Sequence, residues 1–470
     1  IDSKYNIVIS SKNKGKKLLF NSLSNALVEI NDNEFPFLCA YSPSDNVVSE
    51  FACNHEEWSQ DLIKGNFVID RNFDEVQLLK YLYNSSRFRS TALSFTILPT
   101  MLCNFTCDYC YQKHDSVQGM STEVQTAVSS FIENHLQKST TSLHIEWYGG
   151  EPLLEYKLID NMSRQIMALA KEKDIPYSSG IVTNGYLIDD ETIDMFSRNQ
   201  INAVQITLDG TPELHDRKRK LKNGKGTFWR IIESVKKLSD VMKVSVRINI
   251  DKSNANSIPG LIDLLIENKL NNGNVYPYLG YIKPYTSTCK SITHGCLGEE
   301  DFAETNANFV DLLHKKGFPT FVYPRPGFRI CGAVTEGVFA IDPEGYIFKC
   351  WEAVSLKNEA IGNVLRDNMT TVEQMNYIKW MNYDPFDNDK CRDCNVFPIC
   401  LGGCPSCHIQ HGETSELEYI PKCDSYRYDY FFNKIMHIAL EKQERNELKK
   451  RDDRVVRDKD DKQNTSEKSS

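Results

Sequence analysis

Three closely spaced cysteines, Cys103, Cys107 and Cys110, constrain this chain more than any other feature of its sequence. Their CxxxCxxC spacing suits three thiolate ligands of one [4Fe-4S] cluster, whereas an electron-transfer cluster of the ferredoxin type uses four cysteines. A three-ligand cluster leaves one iron open to another molecule, so the spacing indicates catalysis. The alternatives are a disulfide pair or a zinc site, for which His114 is the nearby candidate fourth ligand.

A second motif, Trp147-Tyr148-Gly149-Gly150-Glu151-Pro152, follows one strand-helix crossover later. Two adjacent glycines let backbone carbonyls approach a ligand closely, and a strand cannot continue through Gly-Gly-Glu-Pro. This tetrapeptide alone would usually be a turn. Its position after the three cysteines makes it a candidate ligand-binding element.

Together, the two motifs resemble the radical S-adenosylmethionine (radical SAM) superfamily, whose signature is CxxxCxΦC with an aromatic residue at Φ. The resemblance implies that Cys103, Cys107 and Cys110 hold the catalytic cluster and that Tyr109 covers the adenine of SAM. It also implies an element that holds the methionyl amino group, made of Gly149, Gly150, Glu151 and Pro152.

From residue 92 onward, apolar or β-branched runs alternate with amphipathic stretches, which is typical of βα units and a parallel sheet. We expect the first helix to open with a capping box of Thr122 and Gln125, and to bury Val124, Val128, Phe131, Ile132 and Leu136. The six predicted strands are Ala92 to Leu98, Leu143 to Tyr148, Ser178 to Thr183, Ala203 to Leu208, Val244 to Ile250 and Val275 to Ile282. This α/β pattern matches the partial (β/α)6 TIM barrel of radical SAM enzymes.

Polar residues follow the third and fourth predicted strands, and active sites of β/α barrels lie at the carboxyl ends of strands. In the resembling family, residues at these places contact the ribose and the methionyl carboxylate. The candidates are Thr183, Asn184, Thr207, Asp209 and Arg217, with Arg219 as an alternative to Arg217 for pairing with a carboxylate. Ordinary turns at Asn-Gly and Asp-Gly, and a solvated basic loop, are the competing explanations.

The last third of the chain carries a second group of cysteines: Cys331, Cys350, Cys391, Cys394, Cys400, Cys404 and Cys423, with Gly345 five residues before the second. Their order resembles the SPASM domain, an extension of radical SAM enzymes. The resemblance implies two auxiliary [4Fe-4S] clusters. The outer cluster would use Cys391, Cys394, Cys400 and Cys423, and the inner cluster Cys331, Cys350 and Cys404. Zinc is again the alternative.

One position departs from this pattern. Many members have a further cysteine where this chain has Gly337, so the inner cluster lacks an obvious fourth ligand. Cys289, Cys296 or Cys407 could supply it, and each is equally well explained as an ordinary buried or loop thiol.

The first 90 residues precede the barrel. Three short strands are predicted there, at Tyr5 to Ser10, Lys17 to Phe20 and Ala26 to Ile30, with helices at Glu56 to Lys64 and Asp74 to Arg87 and a possible wing at Gly65 to Asp70. The order resembles the winged-helix recognition element that binds the leader of a ribosomally made peptide. A structural cap is the alternative.

The expected organisation has five segments. They are a precursor-recognition-like domain (1–90), the partial barrel (91–285), a linker (286–330), the SPASM domain (331–435), and a C-terminal helix with a disordered tail (436–470).

Composition limits the partners. The chain has 470 residues, of which 40% are hydrophobic and 25% charged, and a net charge of −9 argues against a nucleic-acid partner. No apolar run is long enough to span a membrane. Fifteen cysteines without a secretory signal indicate metal ligation in a reducing compartment, so we expect a cytoplasmic protein, although Ile1 leaves the natural start of the chain open.

The combined resemblance implies a radical SAM/SPASM peptide maturase with SAM and three [4Fe-4S] clusters. It would take electrons from a flavodoxin or ferredoxin and crosslink side chains of a ribosomally made precursor peptide. Anaerobic sulfatase maturation, which oxidises Ser or Cys to formylglycine, is the nearest alternative. Those enzymes place an acidic residue directly after the second SPASM cysteine, where this chain has Trp351 and then Glu352. A non-catalytic electron carrier would leave the Gly-Gly-Glu-Pro element without a purpose.

Overall fold

The structure is a computed structural model that describes residues 2–32, 56–88, 91–112, 119–282, 295–320, 324–326, 330–354, 356–409 and 425–442. Its strands are β1 (Asn6–Ser10), β2 (Lys16–Asn21), β3 (Leu27–Asn31), β4 (Ala92–Ile97), β5 (Phe105–Cys107), β6 (Ser142–Trp147), β7 (Tyr177–Thr183), β8 (Ile201–Thr207), β9 (Arg219–Leu221), β10 (Lys243–Ile250), β11 (Val275–Tyr281), β12 (Val338–Ile341), β13 (Tyr346–Phe348) and β14 (Gly362–Asn363).

The helices lie between and after these strands. They are α1 (Glu56–Lys64), α2 (Glu75–Phe88), α3 (Thr122–His135), α4 (Tyr156–Glu172), α5 (Asp190–Arg198), α6 (Pro212–Lys218), α7 (Phe228–Ser239), α8 (Ile258–Glu267), α9 (Glu299–Lys315), α10 (Thr371–Met381), α11 (Asp389–Arg392), α12 (Phe397–Cys400), α13 (Pro405–Ile409) and α14 (429–442). In the described ranges, no helix combines the length and apolar character needed to cross a bilayer.

Six parallel strands form the centre of the fold, in the order β4, β6, β7, β8, β10 and β11. Each ends within two residues of its prediction, so the six predicted strands and the α/β class are confirmed. The five segment boundaries stay predictions, and the tail from Arg451 onward lies outside the described residues.

Residues on the barrel strands alternate between an apolar and a polar face. On β10 the apolar set is Val244, Val246, Ile248 and Ile250, and the polar set is Ser245, Arg247 and Asn249. The apolar set is fully buried in the main core together with residues of α7 and α8, such as Ile231 and Leu261. Successive side chains of a strand point to opposite faces, so the polar set faces the barrel interior.

The predicted helix after the cysteine motif forms, but its cap differs from the prediction. Ser121 is the N-cap, and its hydroxyl accepts a hydrogen bond from the Val124 amide at 3.3 Å. Thr122 is already helical, and the Gln125 side chain donates to the Met120 carbonyl at 2.8 Å. The capping box of Thr122 and Gln125 was therefore wrong by one residue, because Ser121 offers the same kind of hydroxyl one position earlier.

The cysteine-rich region begins by extending the barrel sheet. β12 pairs in parallel with β4, and β13 and β14 follow in antiparallel order. Gly345 has φ of +84° in the β12–β13 turn, a conformation that favours glycine. Cys331 and Cys350 flank this hairpin, which attaches them to the first barrel strand.

The N-terminal segment forms the three predicted strands as an antiparallel sheet, followed by α1 and α2. This unit packs against the C-terminal cysteine region. The rings of Phe20 and Phe432 lie 5.6 Å apart, and the buried Arg87 donates from Nε to the Val334 carbonyl at 2.8 Å. Its Nη2 donates to the Met381 carbonyl at 2.5 Å. The N-terminal unit is thus joined to the rest of the fold by a shared core.

Candidate active site

The loop after β4 carries the three cysteines of the first motif. Cys103 is buried, and Cys107 and Cys110 are partly buried. Burial raises the pKa of Cys103 to about 11 and that of Cys107 to about 12, and the neighbouring thiols act in the same direction. These effects place the three thiols within electrostatic range of one another on one loop, and their role as ligands of a shared cluster stays a prediction.

The Gly-Gly-Glu-Pro element packs against the start of this loop. Gly149 has φ of +125°, and an added Cβ would meet the Thr100 carbonyl at 2.4 Å. A Cβ on Gly150 would meet the Leu102 carbonyl at 2.2 Å. The two glycines therefore let the end of β6 pack directly against the backbone that leads into Cys103.

Glu151 is fully buried and joins the ends of β6 and β7. Its carboxylate accepts hydrogen bonds from the Thr183 hydroxyl at 2.6 Å and from the Asn184 amide at 2.7 Å. Burial raises the pKa of Glu151, while these donors oppose the shift. The Asn184 side chain reaches the Asn104 side chain at 2.7 Å, next to Cys103. Thr183, Asn184 and Glu151, predicted separately, thus lie together, and Pro152 begins the turn that follows.

Tyr109 is the centre of a second buried network. Its hydroxyl donates to Asp209 Oδ2 and accepts from Arg219 Nη1 at 2.6 Å and from Asn249 Nδ2 at 3.1 Å. The Asn249 amide donates to Asp209 Oδ1 at 2.8 Å. Burial raises the pKa of Asp209 against the effect of Arg219. The network joins the aromatic of the cysteine motif to the ends of β8 and β10.

Of the two arginines considered from sequence, Arg219 belongs to this network. β9 pairs with β5 so that Arg219 lies opposite Cys107, and its guanidinium is buried with Nε lacking a hydrogen-bond partner among the described residues. Arg217 is exposed near the end of α6. The carboxylate-binding role expected of Arg217 fits Arg219 better, because β9 turns only Arg219 toward the cysteines. Thr207 is buried at the end of β8, in register with Arg247.

A neutral histidine fixes the loop that precedes Arg219. His215 Nδ1 accepts from the Asp209 amide at 3.2 Å, and Nε2 lies 3.0 Å from the Thr227 hydroxyl. That hydroxyl donates to the Arg219 carbonyl at 2.6 Å, so His215 Nε2 carries the proton and donates to it. Burial lowers the pKa of His215 well below its usual value. His215 is therefore a positioning residue for Asp209 and Arg219.

Two tyrosines that the sequence did not single out lie between the cysteine groups. The hydroxyls of Tyr111 and Tyr148 are 2.7 Å apart. Burial is the main cause that raises the pKa of both, and the Cys110 thiol and the Glu352 carboxylate act in the same direction. The ring of Tyr148 lies 6.3 Å from that of Trp351. The pair thus connects the first cysteine loop to the segment after Cys350. In the sequence, the signal for this pair is that Tyr111 follows Cys110 and Tyr148 precedes Gly149.

The C-terminal cysteines lie in the segment that follows the barrel and in its contacts with the N-terminal unit. Cys331, Cys350 and Cys404 affect one another electrostatically; burial raises the pKa of Cys331 to about 11 and that of Cys350 well above its usual value. Cys391 and Cys394 instead pack in an apolar cluster with Phe386, Phe397 and Tyr5 of the N-terminal unit. Burial raises the pKa of Tyr383, and Cys391 and Cys404 both act in the same direction, so the inner and outer ligand sets implied by the resemblance stay predictions. Cys400 ends α12.

The fourth ligand of the inner group is not defined. Cys407 is buried on α13, and its amide donates to the Cys404 carbonyl at 3.1 Å. Cys296 is partly buried, whereas Cys289, Cys423 and His114 lie outside the described residues. Among the residues described, no three His, Cys, Asp or Glu side chains are placed to hold a metal ion. The ligand assignments stay predictions.

Residues 97–265 match the Radical SAM superfamily. Together with the parallel barrel and the site above, this match identifies the chain as a radical SAM enzyme, as the sequence motifs predicted. Radical SAM enzymes use a [4Fe-4S] cluster and SAM.

Two characterised relatives are similar over most of the chain. A cysteine-type anaerobic sulfatase-maturating enzyme of Clostridium perfringens (strain 13 / Type A) is 23% identical over 375 residues, which cover 74% of this chain and 98% of the relative. The radical SAM cyclopropyl synthase TigE of Paramaledivibacter caminithermalis is 21% identical over 421 residues, covering 82% of this chain and 85% of the relative.

Among solved structures, native anSMEcpe with bound AdoMet and Cp18Cys peptide matches with a TM-score of 0.59 and 21% identity. The match covers 74% of this chain and 98% of that chain. At this level of identity the likeness shows a shared fold.

Proposed function

We propose that this enzyme modifies a ribosomally made precursor peptide after hydrogen abstraction and closes a crosslink between side chains, as a thioether, carbon-carbon or ether bond. One observation carries the proposal. The Tyr111–Tyr148 pair, near both Cys110 and Glu352, connects the SAM site with the segment that holds Cys350. A substrate in this space would contact both cysteine groups.

The residues present fit a cluster and SAM. Cys103, Cys107 and Cys110 offer three thiols on one loop, and Arg219 Nε, 3.9 Å from Asp209 Oδ2, donates no hydrogen bond to a described residue and is suited to a carboxylate. When bound, a reduced [4Fe-4S] cluster and SAM supply a 5′-deoxyadenosyl radical that abstracts hydrogen, and auxiliary clusters accept the electron released at bond closure. We expect three clusters in all, the second on Cys331, Cys350 and Cys404, the third on the outer set.

The protein's own side chains bind and orient in this scheme. Glu151, held by Thr183 and Asn184, presents a fixed carboxylate at the end of β6 for the methionyl amino group. Tyr109 is held by Asp209, Arg219 and Asn249, so its ring has one position for stacking on adenine. Rigid support of this kind lowers the cost of ordering the site when the ligand binds.

We propose that the N-terminal unit binds the leader of the precursor. Its three-stranded sheet has β1 and β3 at its edges, and an extended peptide can add to such an edge through main-chain hydrogen bonds. The shared core around Phe20 and Phe432 would keep a bound leader near the cysteine region.

Electrons would come from a flavodoxin or ferredoxin. The oxygen sensitivity of iron-sulfur clusters fits a cytoplasmic location of the enzyme.

Oxidation of Ser or Cys to formylglycine is the second candidate. The similarity to sulfatase-maturating enzymes favours it, as does the position of Glu352. Although Glu352 is one residue later than the expected acid, its carboxylate acts on Tyr111, Tyr148 and Cys350 alike. A carboxylate at this place can take a proton from a substrate, as formylglycine formation requires.

The test uses anaerobically reconstituted enzyme, SAM, dithionite and a candidate precursor peptide, chosen by searching the neighbourhood of the gene for short reading frames. Mass spectrometry of the product is followed by treatment with a hydrazide. A crosslink removes two hydrogens and leaves nothing that the hydrazide labels, whereas formylglycine is an aldehyde and becomes labelled. Hydrazide labelling would overturn the crosslink in favour of the second candidate.

A further inference from the structure

A partly buried arginine of the barrel, Arg247, has no role in the network around Tyr109 and Glu151 beyond one hydrogen bond. Arg247 lies on the polar face of β10, and its Nε donates to Asn249 Oδ1 at 2.7 Å. Its guanidinium carbon lies 5.9 Å from the centre of the Tyr278 ring on the neighbouring β11. The guanidinium also forms a side-chain hydrogen bond with Tyr278, so it lies on the polar face of the sheet between Asn249 and Tyr278.

The space for this guanidinium depends on a glycine of β11. A Cβ on Gly280 would meet Arg247 Nε at 2.6 Å and Cζ at 2.8 Å. Any other residue at position 280 would displace the side chain. Because Gly280 has no side chain, the Arg247 guanidinium can pack directly against the backbone of β11.

No carboxylate of the described residues forms an ion pair with this cation. Among the described residues, the ion pairs at the barrel mouth are Lys218 with Asp251 and Arg219 with Asp209, and Arg247 forms none. Burial lowers the pKa of Arg247, but the hydroxyls of Tyr278, Tyr148 and Tyr109 act in the opposite direction. Their effect is the larger one, so the pKa is raised and the group stays charged. A partly buried charge with no opposite charge among the described residues is costly to keep, which favours a bound anion.

The neighbours of Arg247 define where such an anion would lie. Tyr109 belongs to the SAM site, and Tyr148 belongs to the pair that leads toward Cys350. Arg219, on the other side of Tyr109, has its own unused donor next to the cysteine motif. The two arginines therefore lie at two places: Arg219 opposite Cys107 on the β5–β9 ribbon, and Arg247 on β10 in register with Thr207.

We propose that Arg247 binds the carboxylate of an acidic side chain, Asp or Glu, in the substrate peptide and so selects which segment of the peptide enters the barrel. The inference rests on the proposed peptide substrate. A planar guanidinium can hold a carboxylate through two parallel hydrogen bonds, which fixes orientation as well as charge. Arg247 would then be a specificity-determining residue for peptides with an acid near the modified position.

The same chemistry is present in SAM, which also carries a carboxylate, and the experiment separates the two sources. The probes are radiolabelled N-acetyl-glutamate N-methylamide and its glutamine counterpart. Their binding to the reconstituted, SAM-saturated enzyme is measured by equilibrium dialysis. SAM affinity and iron content are measured on the same preparations.

We expect the wild type to bind the glutamate probe at least about tenfold more tightly than the glutamine probe, or about 1.4 kcal/mol. R247Q should remove this preference, R247K should keep part of it, and SAM affinity and iron content should stay unchanged in both. K243Q, which removes an exposed charge from the opposite end of β10, is the matched control and should keep the full preference.

Equal binding of the two probes to wild type would overturn the inference, as would a glutamate preference that survives in R247Q. Loss of SAM affinity in R247Q, with the probe preference unchanged, would assign Arg247 to the cofactor and also overturn it. None of these results tests the proposed peptide modification, which fails if the precursor peptide emerges unmodified or if its product is labelled by the hydrazide.

Discussion

Cys107 and Arg219 lie directly opposite each other in the antiparallel pairing of β5 with β9. Burial lowers the pKa of the Arg219 guanidinium. Cys107, Tyr109 and Asp209 act in the opposite direction and raise this pKa well above its usual value. A short β-ribbon formed by segments more than a hundred residues apart thus places a permanent cation beside the catalytic cysteine loop.

Replacing this cation should weaken SAM binding. In R219Q, Tyr109 loses a donor and the carboxylate of SAM loses its expected partner, so we expect SAM affinity to fall at least about tenfold with unchanged iron content. R217Q is the matched control, because Arg217 is exposed two residues earlier. Equilibrium dialysis with SAM measures both. Equal loss in the two variants would contradict the assignment to Arg219.

Removal of the first cysteine group should leave the other cysteines loaded. Changing Cys103, Cys107 and Cys110 together to Ala should lower the iron content by about one third and abolish SAM cleavage, because three of the expected cluster ligands are lost. Iron analysis and chromatography of 5′-deoxyadenosine give the two values. Cleavage that persists in the triple variant would refute the catalytic assignment.

Arg87 should contribute strongly to stability. It is buried and donates to the carbonyls of Val334 and Met381, so R87M leaves two buried acceptors unpaired. We expect the free energy of unfolding to fall by about 2–4 kcal/mol in urea, followed by far-UV circular dichroism. R71M, at an exposed position of the same unit, should change it by less than about 0.5 kcal/mol. Similar values for both variants would show that Arg87 does not join the two units.

The buried Asp342 predicts a pH dependence. Its carboxylate accepts from the amides of Glu344 and Tyr346, each at 2.9 Å, but burial raises its pKa to about 7. The pKa of an Asp in the unfolded chain is about 3.9. Between this pH and the folded value, Asp342 is protonated in the folded chain and ionised in the unfolded chain. The free energy of unfolding therefore falls as the pH rises through this window.

Removing the negative charge of Asp342 should therefore increase the stability of the protein only at higher pH. D342N keeps an acceptor oxygen and should raise the melting temperature by about 2 °C or more at pH about 8, with convergence on wild type below pH about 4. D367N, at an exposed position, should have no such effect. A lower melting temperature for D342N at the higher pH would contradict the sign of the shift.

The barrel was predictable because each strand and helix has a local period that the sequence displays. The strand-end residues Thr183, Asn184 and Asp209 could be placed at one edge because parallel strands share that edge. The preference for Arg219 over Arg217 could not be derived, since it depends on β9 pairing with a strand far away in the chain. Asn249 was missed for a similar reason: its partner Tyr109 comes from another loop.

The region beyond the barrel was harder to predict. Cysteine spacing indicated two ligand sets, and this assignment stays a prediction, because Cys404 and Cys391 both act on Tyr383. That β12 continues the barrel sheet beside β4, and that Tyr111 meets Tyr148, depend on contacts across the chain that no local pattern displays.

The central claim is that radical generation at the first cysteine group is coupled to peptide modification through the inner auxiliary group. The most direct measurement compares wild type with a variant in which Cys331, Cys350 and Cys404 are Ala, each given SAM, dithionite and the precursor peptide. 5′-Deoxyadenosine and modified peptide are quantified separately in the same reactions. We predict that the variant still makes 5′-deoxyadenosine but no modified peptide, while wild type makes both. Modified peptide at the wild-type rate from the variant would contradict the account.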